Sequence, residues 1–342
     1  MTKSSMGDHY RLIGNIGSPY SMKMRAIMRY RRIPFVWVNR DRKVNEEIAH
    51  VKPPVIPVLQ YPEDGSYHVD STPMACELEK RHPGQRSIVP EDAGLAFLSH
   101  LIEDLADEWV TKMMFVYRWW RKVDQEYCSY WLTHMMAMPA NPEEIGKMAR
   151  WFTDRQVGRM ALVGCTEITR RIIEKSFLQV LDILERNLET SVYLFGSRPG
   201  LADFGLFGQL YELCYDPTPQ GIMRTRAPGV CGWISRLDDA SGEEEGEWIS
   251  PDAPLPEAVR ALLKMAGDVY FPFLLANAKA FEAGRETFSL RLLGEPYEQG
   301  TFKYQVKCLN WLREEYAGLK GEAKERTDSV LKETGCFEPL QG

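Results

Sequence analysis

Between residues 10 and 80 the hydrophobic period changes repeatedly. Tyr10 to Gly14, YRLIG, is a short apolar run that predicts a strand. From Pro19 the period becomes helical, with Met24, Ile27 and Met28 set among Lys23, Arg25 and Arg29. Pro34 stops that helix, and PFVWV reads as a second strand. Ile56 to Tyr61 and Ser66 to Val69 flank Glu63-Asp64-Gly65, a hairpin-turn signal. A helix then opens at Ser71 and runs through Leu78. The order strand, helix, strand, hairpin, helix predicts a small α/β domain with a mixed sheet.

His82 to Gly94, rich in proline, glycine and polar residues, reads as a linker. Beyond it the period is helical: an aromatic-rich stretch from Leu98 to Trp120, another from Glu167 to Leu188, and a third from Leu201. Asp238 to Pro256 is acidic, with Glu243-Glu244-Glu245, and reads as a solvated loop. The rest predicts a helix through FPFLLANAKAF, a period-2 strand around Phe288, Leu290 and Leu292, and a helix containing KCLNWLREEY. Phe271, Phe273, Leu274, Leu275 and Phe281 are too apolar to stand exposed, so this extension is expected to pack on the helical part. The expected division is 1–83, 84–240 and 241–342.

Composition narrows the picture. A net charge of -6 gives no footprint for nucleic acid. Arg29, Arg31 and Arg32 read as solvating a helix end. No run reaches the roughly 20 apolar residues of a membrane span, and MTKSSMGDHYRL lacks the apolar region of a secretory signal. Seven cysteines stand without a Cys-x-x-Cys pair, which reads as reduced thiols in a cytoplasmic protein, with no metal constellation.

Four features carry candidate chemistry. Ser18-Pro19-Tyr20-Ser21 lies where a strand meets a helix; Ser18 is either an N-cap or a hydroxyl aimed at an anion over the helix terminus. Ile56-Pro57 heads the hairpin; composition alone favours a trans edge proline, whereas a cis bond would turn the Ile56 backbone toward a peptide-like ligand. At Asp70-Ser71, Ser71 is either a cap or a carboxylate-binding hydroxyl, with Asp70 placed to take an ammonium. Asp203, in Arg198 to Phe204, can reach back to open first-turn N–H groups.

Their order and spacing resemble the glutathione transferases over about residues 10 to 235. That resemblance implies an N-terminal thioredoxin-like domain and an all-helical C-terminal domain, here with an added extension. It makes Ser18 the thiolate-stabilising catalytic residue, ahead of Tyr20 and Ser21. It implies a cis Ile56-Pro57 bond and glutathione contacts from Ser18, Lys52, Ile56, Pro57, Asp70 and Ser71. Two positions depart from the family pattern. Gly200 stands where serine or threonine is usual, and Val55 where a polar residue precedes the Ile-Pro pair, with Lys52 the nearest replacement.

The expected activity is conjugation or thiolysis of a small apolar electrophile by the glutathione thiolate. Tyr20, Met113, Met114, Tyr117 and Trp120 are candidate walls for that second substrate. Glutathione is the expected co-substrate. No metal, nucleic acid or membrane is expected, and a homodimer is implied, through the first domain and the apolar stretch Trp109 to Trp120. The competing readings are a non-catalytic scaffold on the same fold and a glutathione-dependent reductase, which a serine at position 18 disfavours.

Overall fold

The computed structural model describes residues 9–84 and 86–342. The signal-peptide reading bears largely on residues 1–8, which lie outside that set.

The first domain forms as its pattern predicts. Strands β1 (Tyr10–Gly14) and β2 (Phe35–Asn39) enclose helix α1 (Pro19–Tyr30); a short helix α2 (Arg42–Glu47) follows. Then come β3 (Val58–Gln60), β4 (Tyr67–Val69) and α3 (Ser71–Arg81). The sheet order is β2-β1-β3-β4, with β1 parallel to β2 and antiparallel to β3. One face packs on α1 and α3 through Leu12, Ile27, Leu59 and Leu78; the other buries Ile13, Val44, Ile48, Val51 and Val58. This is a thioredoxin-like domain.

Helices α4 (Ala93–Leu105) and α5 (Thr111–Trp120) form the predicted long stretch, joined by a π-helical segment at Ala106–Val110. After α6 (Lys122–Ala137) and α7 (Pro142–Val157), α8 (Glu167–Asn187) and α9 (Leu201–Leu213) build the centre of an all-helical domain, completed by α10 (Pro217–Arg226) and α11 (Pro228–Asp238). Every residue of α9 is buried. At its start Asp203 accepts from Gly200 N (2.9 Å) and Leu194 N (3.0 Å), the back-reaching cap expected. Gly200 serves a close approach: a Cβ there would meet the Trp248 ring at 3.3 Å.

The extension comprises α12 (Glu257–Met265), α13 (Phe271–Glu282), a hairpin of β5 (Thr287–Leu292) and β6 (Glu295–Gly300), α14 (Lys303–Gly318) and α15 (Gly321–Thr334). Its helices pack on α4 and α8, and Phe271, Phe273 and Leu274 join one core continuous with that of the helical domain. Leu275 is partly buried and Phe281 stays exposed, at the end of α13.

The arginines in and just after α1 correct the sequence reading. Arg31 is buried rather than solvating, donating to His82 O at 2.7 Å and pairing with Glu79 at 3.1 Å. Arg25 and Arg29 both pair with Asp238, and Arg32 donates to Ser241 O. Arg198 pairs with Glu245. The end of α11 and the acidic segment after it are thus fastened to the first domain by Arg25, Arg29 and Arg32, and to the helical domain by Arg198.

Candidate functional site

A cavity of about 390 Å³ lies between the first domain, α4 and the extension. Pro53, Val55, Ile56, Pro57, Asp70, Ser71, Thr72 and Tyr20 line one side; His100, Asp104, Asp107 and Glu108 line another; Phe302, Tyr304 and Trp311 close it.

The Ile56-Pro57 peptide is cis, and Lys52-Pro53 is cis as well. Asp70 occupies the N-cap position of α3 with φ +80°, a backbone conformation an aspartate adopts at a cost of about 1–3 kcal/mol and that clusters at ligand sites. Ser71 is the first residue of α3, so its N–H and hydroxyl sit at the positive end of the helix. Burial raises the Asp70 carboxyl above its ordinary range, although Tyr304 and Lys307 oppose this.

The remaining candidates separate. Ser18 caps α1, its Oγ accepting from Ser21 N at 3.4 Å, which leaves the hydroxyl proton for a ligand; it stands two residues before Tyr20 without lining the cavity itself. Ser21 is fully buried against Gly14, with its Oγ accepting from Asn15 N. Tyr20 donates to Asp107 O at 2.9 Å, and burial beside Glu108 and Asp107 holds its phenol well above the ordinary value, so it stays protonated. Lys52 is exposed and turns to Ala49 O rather than into the cavity. Met113, Met114 and Tyr117 are core residues, and Trp120 packs partly buried against the same core. None of these four lines the cavity, because α5 presents that face to α8 and α9. Of the proposed walls only Tyr20 remains.

Sequence reasoning missed the polar half of the site. Lys23 is fully buried, paired with Glu103 and, at 2.7 Å, with Asp107 Oδ2; it also donates to Thr72 Oγ1 (3.3 Å) and Ser71 Oγ (3.4 Å). Burial opposes its charge, but Asp107 and Glu103 outweigh burial and hold the ammonium above an ordinary lysine. Burial pushes Asp104 up to about 6, Asp107 to about 7 and Glu108 to about 8. One signal was available: Asp104, Asp107 and Glu108 share a helix face at i, i+3, i+4 spacing. Tyr304 carried no local signal, because its partner Asp70 lies 234 residues away.

The fold is that of a thioredoxin-like domain joined to a helical domain, with its cavity at their junction. The sequence model of the glutathione S-transferase N-terminal domain matches residues 12–86, and that of the glutathione S-transferase C-terminal domain matches residues 149–237. The chain belongs to the glutathione S-transferase family. No curated protein matches it. Among solved structures it is similar to a glutathione S-transferase from Methylobacterium radiotolerans in complex with glutathione sulfonate (22% identity, 72% of this chain and 100% of that one, TM-score 0.43). It is also similar to a beta-etherase from Sphingobium sp. strain SYK-6 (16% identity, 75% and 98%, TM-score 0.47).

Proposed function

We propose that the chain is a glutathione transferase that binds glutathione in this cavity, stabilises its thiolate and directs it at an electrophile. The observation that carries this is the convergence of Ile56, Pro57, Asp70 and Ser71 on one cavity wall, with the α1 terminus beside it. Ile56 offers backbone polar groups to a peptide, Ser71 and the α3 terminus favour a carboxylate, and Asp70 favours an ammonium. Ser18 is the proposed thiolate donor, and Lys52 a proposed contact only if its side chain swings inward. A free thiol has a pKa of about 8.5. A charge-assisted hydrogen bond of about 1.5–3 kcal/mol lowers that by about one to two units. The proposal includes the division at 83 and 240, a cytoplasmic location and a homodimer. No helix among the described residues is long and apolar enough to cross a membrane. Trp109, Val116 and Trp119 are spent in the chain's own core, so the dimer face we propose moves to Tyr127, Tyr130, Met148 and Trp151, exposed on α6 and α7.

A second reading, a binding protein without catalysis, is favoured by one observation: Asp70 already accepts from Tyr304. Thiol exchange is disfavoured, since no cysteine is among the residues lining the cavity. The test is thermal denaturation with excess glutathione, together with retention on immobilised glutathione. A rise in melting temperature with retention is expected; absence of both would defeat the transferase reading.

A further inference from the structure

The cavity carries more acid than the proposed glutathione contacts use. With Asp70 of α3, the carboxylates at or behind its walls are Glu103 and Asp104 of α4, Asp107 and Glu108 of the π segment, and Glu315 of α14. Four cations face these six: Lys23 of α1, His100 of α4, Lys112 of α5 and Lys307 of α14. Lys23 is held by Glu103 and Asp107 Oδ2, His100 by Glu315, and Lys307 lies 3.9 Å from Asp70. Lys112 points its amine at Val163 O and Gln299 instead.

One acceptor stands open beside a second carboxylate. Asp107 is only 7% exposed, and its Oδ1 is buried with no hydrogen-bond partner. Glu108 accepts at Oε2 from Gln305 at 3.0 Å. Facing them are the rings of Tyr20, Phe302, Tyr304 and Trp311, and Trp311 already holds the Lys307 ammonium 3.9 Å from its centroid. Carboxylates among aromatic faces are the chemistry that recognises an organic cation. A metal fits less well: among the described residues no three His, Cys, Asp or Glu side chains are grouped to hold one.

We propose that the second substrate of this cavity carries a protonated amine on an apolar body, with the ammonium seated at Asp107 and Glu108 and the body against Val55, Tyr304 and Trp311. This rests on reading the cavity as the transferase site. Burial holds the Glu108 carboxyl up at about 8, so without a ligand it keeps its proton near neutrality. An ammonium replaces that proton, so binding releases it. The other titratable groups facing the pair are Tyr20 and Lys23 of α1, Asp70, His100, Glu103 and Asp104, Lys112, Tyr270 of the turn before α13, and Tyr304, Lys307, Cys308 and Glu315 of α14.

The test is calorimetric titration of the full chain with benzylammonium, benzyl alcohol and benzoate near pH 7. It is run in two buffers of different ionisation enthalpy, with and without saturating glutathione. Benzylammonium should bind at least about tenfold tighter than the alcohol, release protons, and bind alongside glutathione. Glu108→Gln should lose most of that preference; the three-probe comparison on the unaltered chain stands even if the variant folds poorly. Equal or tighter binding of the alcohol or benzoate overturns the proposal. So does mutual exclusion of benzylammonium and glutathione, which would make the acids the subsite of glutathione's own ammonium. Glutathione binding is read separately by its melting shift. A chain that takes benzylammonium with proton release yet ignores glutathione would end the transferase reading and leave the amine site standing.

Discussion

The Tyr304 hydroxyl donates to the Asp70 carboxylate, lying 3.1 and 3.0 Å from its two oxygens. Asp70 comes from the first domain and Tyr304 from the extension, so the added hundred residues reach the proposed glutathione site directly. Asp70 and Lys307 reinforce the contact at 3.9 Å. The extension thus competes for the carboxylate that an incoming ammonium would need.

Removing the Tyr304 donor should therefore favour glutathione. In Tyr304→Phe the ring and its packing stay, while one hydrogen bond worth about 1.5–3 kcal/mol to a charged acceptor no longer opposes the ligand. Glutathione should bind about ten- to a hundredfold tighter, whereas Asp70→Asn should weaken it by more than about tenfold. Titration calorimetry of both variants checks this; weaker binding in Tyr304→Phe would show that Tyr304 helps hold the ligand instead.

Much of the first domain was legible because its signals are local. Each predicted strand and helix there was announced by a period change and a proline or glycine. The helix α2 was missed, being only six residues long. Asp70 and Ser71 stood out because a cap motif is read within a few residues. Ion pairs that join distant segments, such as Lys23 with Glu103 and Asp107, leave no local trace. Apolar side chains on a helix likewise do not say which neighbour covers them, which is why Met113, Met114 and Tyr117 fell to the core rather than to the cavity.

A buried ion network holds the loop that carries Ser18. Arg118 pairs with Glu212 at 2.7 Å and Asp216 at 2.8 Å, and donates to Gly17 O at 3.0 Å. All three side chains are fully or almost fully buried. Arg118→Met should cost about 3–5 kcal/mol, because it strands two buried carboxylates. Denaturant unfolding measures that loss, and a change below about 1 kcal/mol would mean that water takes over the network.

Stability should fall as pH rises from about 6 to 9. Burial opposes the charge on His100, but Glu315, hydrogen-bonded to it, outweighs burial and raises its pKa from the ordinary 6.5 to about 9. That contribution is full below the unfolded value and is lost as pH climbs through about 9. Burial raises Glu108 to about 8, so the folded state also holds this proton more tightly than the unfolded chain and loses stability as it ionises. Both slopes have the same sign. Melting temperature should drop across this range, and the drop should be shallower in His100→Asn. A melting temperature that rises with pH would contradict both assignments.

Ser18 is the residue on which the proposed chemistry turns, and its two roles can be separated. As a cap it accepts from Ser21 N at 3.4 Å, a long bond, so its loss should cost at most about 1 kcal/mol. As a thiolate donor it would supply one charge-assisted hydrogen bond. Ser18→Ala leaves Asp70 and Ser71 in place, so glutathione affinity should change little. The pKa of the bound thiol should rise by about one to two units, and turnover near neutral pH should fall roughly ten- to a hundredfold. Raising the pH should restore the rate, because only the ionisation is impaired. Thiolate ultraviolet absorbance of bound glutathione against pH reads the first effect, without knowledge of the second substrate. Tyr20 is the rival donor, but its proton already goes to Asp107 O at 2.9 Å, and it would have to break that bond to serve. An unchanged thiol pKa in Ser18→Ala, with a raised one in Tyr20→Phe, would transfer the role to Tyr20 and leave Ser18 a helix cap.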